Sequence, residues 1–104
     1  MLIDLFIEAS KEEKAARFLS SFIELAETHS MNAATIEFEE YWKIDDMYKI
    51  ELRAGGLAKD QLQKFIYQIA SKWLELPGEL LASKTMEDCL IHLENLNMII
   101  IYFE

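Results

Sequence analysis

The sequence predicts an α+β fold: a two-layer sandwich with a mostly antiparallel sheet of four or five strands and two main helices on one face. Three observations carry this. Apolar residues recur at spacings of three and four over 15–26 and 62–73, each recurrence making one stripe that can face a core. Elsewhere apolar and polar residues alternate, as in half-buried strands. Only 3 Gly and 1 Pro leave little chain for long loops. A length of 104 residues fits one domain, 1–104, and an apolar fraction of 52% is ample for one core. A chain of this size buries roughly 60–65% of its unfolded surface.

The elements follow in order. Leu2 to Ala9 reads as a first strand, with Ile3, Leu5 and Ile7 on one side and Leu2, Asp4, Phe6 and Glu8 on the other. The second side is mixed, so Phe6 is either covered or a contact residue. Ser10-Lys11-Glu12-Glu13 has the form of a capping box. A first helix follows to about His29, its stripe made by Ala15, Phe18, Leu19, Phe22, Ile23 and Ala26. His29 suits the negative pole of that helix, and Asn32 suits its termination.

Thr35 to Arg53 reads as two strands joined by an acidic turn at Asp45-Asp46. Ile36 and Phe38 alternate with Glu37 and Glu39, and Ile50 and Leu52 alternate with Lys49 and Glu51. Gly55-Gly56 supplies a break before a second helix over 58–75, with Leu62, Phe65, Ile66, Ile69 and Trp73 on one side. Pro77-Gly78 ends that helix. Residues 79–96 fit a short helix (Met86, Leu90, Leu93) or a strand (Cys89, Ile91, Leu93), with a turn at 94–97. Met98 to Phe103 reads as a strand inside the sheet, since Met98-Ile99-Ile100-Ile101 is continuously apolar. The order β-α-β-β-α-(β)-β resembles a ferredoxin-like split βαβ arrangement.

The net charge is −9, from 19 acidic and 10 basic residues. Such a chain is repelled by phosphate backbones and anionic lipid, which argues against nucleic-acid and membrane-surface binding, and it is attracted to a basic partner. Acidity that merely maintains solubility is the plainer reading. A single cysteine forms no intrachain disulfide and fits a reducing cytoplasm. The start Met1-Leu2-Ile3-Asp4 lacks the basic opening and long apolar run of a signal peptide. No apolar run is long enough to span a membrane.

Motifs for chemistry are sparse, so neither metal nor cofactor is expected. His29 and His92 have no Cys or His at ligand spacing. Cys89 and His92 meet only if the segment is helical, and Cys89 is more simply a small buried side chain. Glu37 and Glu39 share a strand face as paired carboxylates, but a solvated face explains them more simply than an acid–base pair. Gly55-Gly56 lacks the pattern of a phosphate loop. These absences argue against an enzyme.

What stands out is residues 37–48. Glu37, Glu39, Glu40, Asp45 and Asp46 surround Tyr41, Trp42 and Tyr48, with Lys43 as the only cation over 37–46. Aromatic anchors within an acidic rim suit capture of a basic protein. The plainer alternative is that Trp42 packs into the core.

With the blocks EFEEYWKIDD and WLELPGELL in a short acidic α+β chain, the sequence resembles bacterial immunity proteins, including those of contact-dependent growth inhibition. The resemblance lies in size, charge and element order rather than in a motif. It implies a cytoplasmic protein that binds and neutralises one cognate basic toxin, often a nuclease, whose phosphate-binding cleft also attracts carboxylates. A small ligand-sensing or regulatory domain is the alternative that the fold alone implies. The mixed face of the first strand leaves a homodimer open.

Overall fold

In the computed structural model, residues 1–55 and 58–103 are described. The elements run β1 (Leu2–Glu8), α1 (Glu12–Thr28), β2 (Asn32–Glu40), β3 (Met47–Gly55), α2 (Lys59–Ile69), β4 (Leu74–Leu76), β5 (Glu79–Ser83) and β6 (Leu96–Tyr102). The strands form one sheet in the order β2-β3-β1-β6-β5-β4, with every neighbouring pair antiparallel. The fold is α+β as expected, but among the described residues the sheet has six strands rather than four or five, and the order is β-α-β-β-α-β-β-β rather than β-α-β-β-α-(β)-β, because the β4–β5 hairpin follows α2.

Alternation along β1 sets the architecture. Ile3 lies between Leu52 and Ile101, and Leu5 between Ile50 and Ile99, on neighbouring strands. All six are fully buried, in one cluster with Ala15, Phe22 and Ala26 of α1 and Phe65, Ile66 and Ile69 of α2. Both helices therefore cover the same face. Phe22 stands edge-on to Phe65 at 5.8 Å between ring centres, which locks one helix to the other. His29 adds a second tie, through Nε2 to Gln68 Oε1 at 3.1 Å.

Each end of α1 differs from expectation in its detail. Lys11, not Ser10, occupies the N-cap position, and it makes no side-chain cap bond. Glu12 and Glu13 in the first turn remain favourable to the positive pole of the helix. The helix ends at Thr28 with His29 as its C-cap; Ser30 then takes a φ of +62°, and the Met31 amide reaches back to the Ala26 carbonyl at 3.0 Å. Asn32, expected as terminator, opens β2 instead.

The second helix ends earlier than the pattern predicts. Ala70 is already extended, at φ −148° and ψ 150°, and 70–76 leave the helical path. Trp73 therefore does not continue the stripe. Its indole Nε1–H instead donates to the Ile66 carbonyl at 3.0 Å, a second bond to a carbonyl that also accepts from the Ala70 amide at 3.1 Å. Pro77-Gly78 is the turn of the β4–β5 hairpin, not a helix stop, and Gly78 takes the left-handed φ of +74° that this turn needs. The Gly55-Gly56 break lies partly outside the described residues: Gly55 ends β3, and Gly56 is not described.

The ambiguous segment resolves into β5 and then irregular chain over 84–95. Cys89 is buried there, with Sγ–H directed to the Lys72 carbonyl at 3.4 Å. His92 is exposed, and its backbone N–H donates to the Ile69 carbonyl at 2.7 Å. The last strand begins at Leu96, within the expected 94–97 turn. It does lie inside the sheet, between β1 and β5. Its two faces differ, however: Ile99 and Ile101 are fully buried, while Met98 and Ile100 are half-buried on the side without helices.

Candidate functional site

The acidic, aromatic stretch forms the end of β2, a six-residue loop over 41–46, and the start of β3. The loop is longer than the tight Asp45-Asp46 turn expected. It closes through the Tyr41 amide on the Met47 carbonyl at 2.8 Å, and Asp46 takes a left-handed φ of +57°. The Ala9 amide donates to the Asp46 carbonyl at 3.0 Å and pins the loop to the end of β1.

A bulge changes which side chains point where. Between Thr35 and Glu37 the register of β2 against β3 slips by one residue, so Ile36 does not share a face with Phe38. Ile36 is 49% exposed, whereas Phe38 is half-buried against the core and opposite Ile50. After the slip, Glu37 and Glu39 point to the helix-free face, and Glu40 joins Tyr48 on the other.

The eight candidate residues therefore divide. Glu40, Tyr41, Trp42, Asp45, Asp46 and Tyr48 line one open depression of about 620 Å³, together with Ile44. Glu37 and Glu39 stand apart on the sheet, Glu37 opposite Glu51 and Glu39 opposite Lys49. Trp42 does not pack into the core. It is 83% exposed, with the Lys43 ammonium 5.1 Å from its ring centre. Tyr41 packs edge-on against Phe6 at 5.2 Å, which covers Phe6. Tyr48 is buried, with its hydroxyl 3.4 Å from Glu40 Oε1, so it supports the depression more than it displays a ring. Burial first, then the Glu40 charge, pushes the Tyr48 hydroxyl above its ordinary value.

The sequence pattern left a second acidic group unremarked. On the helix-free face Asp4 of β1 lies across from Glu51, and Glu51 across from Glu37, giving a row of three carboxyls over three strands. Asp4 is buried, and its Oδ1 has no hydrogen-bond partner. Its pKa is pushed up to about 6, chiefly by burial and then by hydrogen bonding to Glu51; Lys49 and Tyr102 oppose the rise. Tyr102, beside it on β6, is raised in turn by burial and by the Asp4 charge. The only signal in the sequence was the mixed outer side of β1, where a carboxyl sits between Leu2 and Phe6.

A third feature is a cleft of about 500 Å³ between α1 and residues 92–95. Phe18, Phe22, Leu25 and Leu93 give it an apolar floor, and Lys14, Arg17 and His92 stand around it. Among the described residues, no group of three or more His, Cys, Asp or Glu side chains is placed to hold a metal ion. Among the described residues, no helix is long and apolar enough to cross a membrane. The chain matches no protein-family model, no curated protein and no solved structure.

Proposed function

We propose that this protein is an inhibitor of the immunity type, acting in the cytoplasm, that binds and neutralises a cognate basic toxin domain such as a nuclease of a contact-dependent growth-inhibition system. The observation that carries this reading is Trp42: a large aromatic ring, 83% exposed, on a loop that also holds Asp45 and Asp46, next to Glu40. A tryptophan this exposed buries little apolar surface in its own fold, and tryptophan is among the residues enriched at binding hot spots. A net charge of −9 adds long-range attraction for a cationic partner. The scaffold beneath the loop is of a ferredoxin-like kind, with the β4–β5 hairpin as an addition.

The test takes any basic toxin domain encoded beside this chain and measures association at several salt concentrations. Charge reversal of Glu40, Asp45 and Asp46 together slows association by about tenfold at low salt and flattens its salt dependence. Trp42→Ala mainly accelerates dissociation. Unchanged kinetics in both variants, or the lack of any such neighbouring toxin, would refute the reading.

A ligand-sensing domain is the second reading, and the cleft beside α1 favours it. An apolar floor edged by Lys14, Arg17 and His92, with Glu94 as the one carboxylate among the lining residues, suits a small organic anion. Thermal-shift screening with aromatic and aliphatic carboxylates tests it, and the absence of stabilisation by any of them counts against it.

A further inference from the structure

The cleft beside α1 is polar at one end and apolar at the other. Lys14, Arg17, Phe18, Ser21, Phe22 and Leu25 line it from the helix. At a rise of 1.5 Å per residue, the step from Arg17 to Leu25 spans about 12 Å. The two cations stand at the N-terminal end of that span, and the apolar side chains follow. Both walls are held in place. Phe22 is buried against Phe65, and Phe18 stacks on Phe22 with ring centres 6.3 Å apart and planes 19° apart. Across the cleft, the His92 amide is bonded to the Ile69 carbonyl, and the Asn95 carbonyl accepts from the Glu8 amide, both at 2.7 Å. These ties make the cleft a pre-formed feature of the fold.

The charges around it are uncommitted. Among the described residues, the side chains of Lys14, Arg17 and Glu94 are in no ion pair and no hydrogen bond, and neither is Glu13, one turn before Arg17. Glu8 lies close enough to Lys14 to feel its charge, but the Glu8 carboxylate is already held by Lys84 and by Asn97 Nδ2 at 2.9 Å. Two cations against the single carboxylate of Glu94 leave the lining with one net positive charge while His92 is neutral. The depression around Trp42 is lined by three carboxylates and no cation, so the two sites suit ligands of opposite sign.

We propose that this cleft binds an aryl-alkanoic acid as its monoanion, with the carboxylate on Arg17 and Lys14 and the ring on Phe18, against Leu25 and Leu93. This rests on the ligand-sensing reading of the cleft and narrows it from any small organic anion to one class. Arg17 supplies a planar fork that pairs both oxygens of a carboxylate, and Lys14, one turn away, adds a second charge. A single net positive charge matches one carboxylate; a second would meet Glu94, which opposes it. The half-buried Phe18 ring decides the other end. Aromatic pairs gain beyond their buried area, enough to favour a phenyl ring over a saturated one of similar size by about two- to tenfold. A volume of about 500 Å³ is in the range of small-molecule sites.

The probe is 4-phenylbutanoate, titrated into the ¹⁵N-labelled full chain beside 4-cyclohexylbutanoate, 4-phenylbutanamide and the dianion phenylsuccinate. Backbone shifts are expected at Arg17 to Leu25 and at His92 to Asn95. The uncharged compound binds about tenfold more weakly, the cyclohexyl acid about threefold more weakly, and phenylsuccinate no more tightly. Arg17→Gln, on the exposed side of α1, weakens 4-phenylbutanoate by about tenfold. Phe18→Leu keeps an apolar floor without the ring, and it removes the preference for phenyl over cyclohexyl. Equal or tighter binding of the cyclohexyl acid, tighter binding of phenylsuccinate, or an unchanged affinity in Arg17→Gln would each overturn the aryl-alkanoate assignment and leave the cleft open to other organic anions. If none of the carboxylates shifts the cleft, or if the uncharged compound binds it equally well, the ligand-sensing reading falls along with the assignment.

Discussion

Asp4→Asn stabilises the protein at neutral pH. An aspartate raised from 3.8 to about 6 loses, at about 1.4 kcal/mol per pH unit, at most about 3 kcal/mol of stability when ionised in the fold. The sign follows from the direction of the shift. Between pH 4 and 6 the folded chain keeps a proton that the unfolded chain has released, so stability falls as pH rises through that window and levels off above it. Asparagine does not titrate, and the variant escapes this loss. The gain is about 1–3 kcal/mol at pH 7.5 and shrinks toward zero below about pH 4, where the aspartate is protonated in both states. Urea unfolding of both proteins at pH 4, 5.5 and 7.5 measures it, and for a domain of this size each kcal/mol moves Tm by about 4–8 °C. A variant less stable than the parent at pH 7.5, or a gain of the same size at all three pH values, would refute the reasoning.

Three further outcomes follow from the packing. Phe22→Ala, at the junction of α1, α2 and the sheet, costs about 3–5 kcal/mol, read by urea denaturation. Gly78→Ala meets no steric obstacle but forces a side chain to φ +74°, and costs about 1 kcal/mol through the hairpin turn. Trp73→Phe deletes the bond to the Ile66 carbonyl for about 1 kcal/mol; Trp42 is then the sole fluorophore of its kind, and emission shifts to that of a water-exposed indole.

The parts of the fold that the sequence made legible are those whose side chains report their own surroundings. The α1 stripe and the alternation of Ile3, Leu5 and Ile7 each bury as their period requires. Ile36 misled because a bulge is a relation between two strands, and its own strand alternates regularly through it. The run from Ser71 to Leu76 consists mostly of fair helix formers, and Leu76 pairs with Glu79 and Leu74 with Leu81 only because the hairpin adds to β6 through β5. Tertiary pairing thus overrides local preference there. Of the candidate contact residues, the exposure of Trp42 was undecided in the sequence, since an aromatic beside a turn fits either side of a fold. Asp4 escaped notice because its neighbours in the row, Glu51 and Ile100, are far away along the chain.

Finally, the two outermost strands limit the ways in which this molecule can associate. At one rim, β2 carries the bulge and the carboxylates of Glu37 and Glu39. At the other, β4 offers only three residues before Pro77. Rims of this kind make poor templates for lateral growth of a sheet, by another copy or by a foreign chain. Assembly is thereby channelled to the broad surfaces and the loop tips, and the protein should resist fibrillar aggregation despite the apolar run of its last strand.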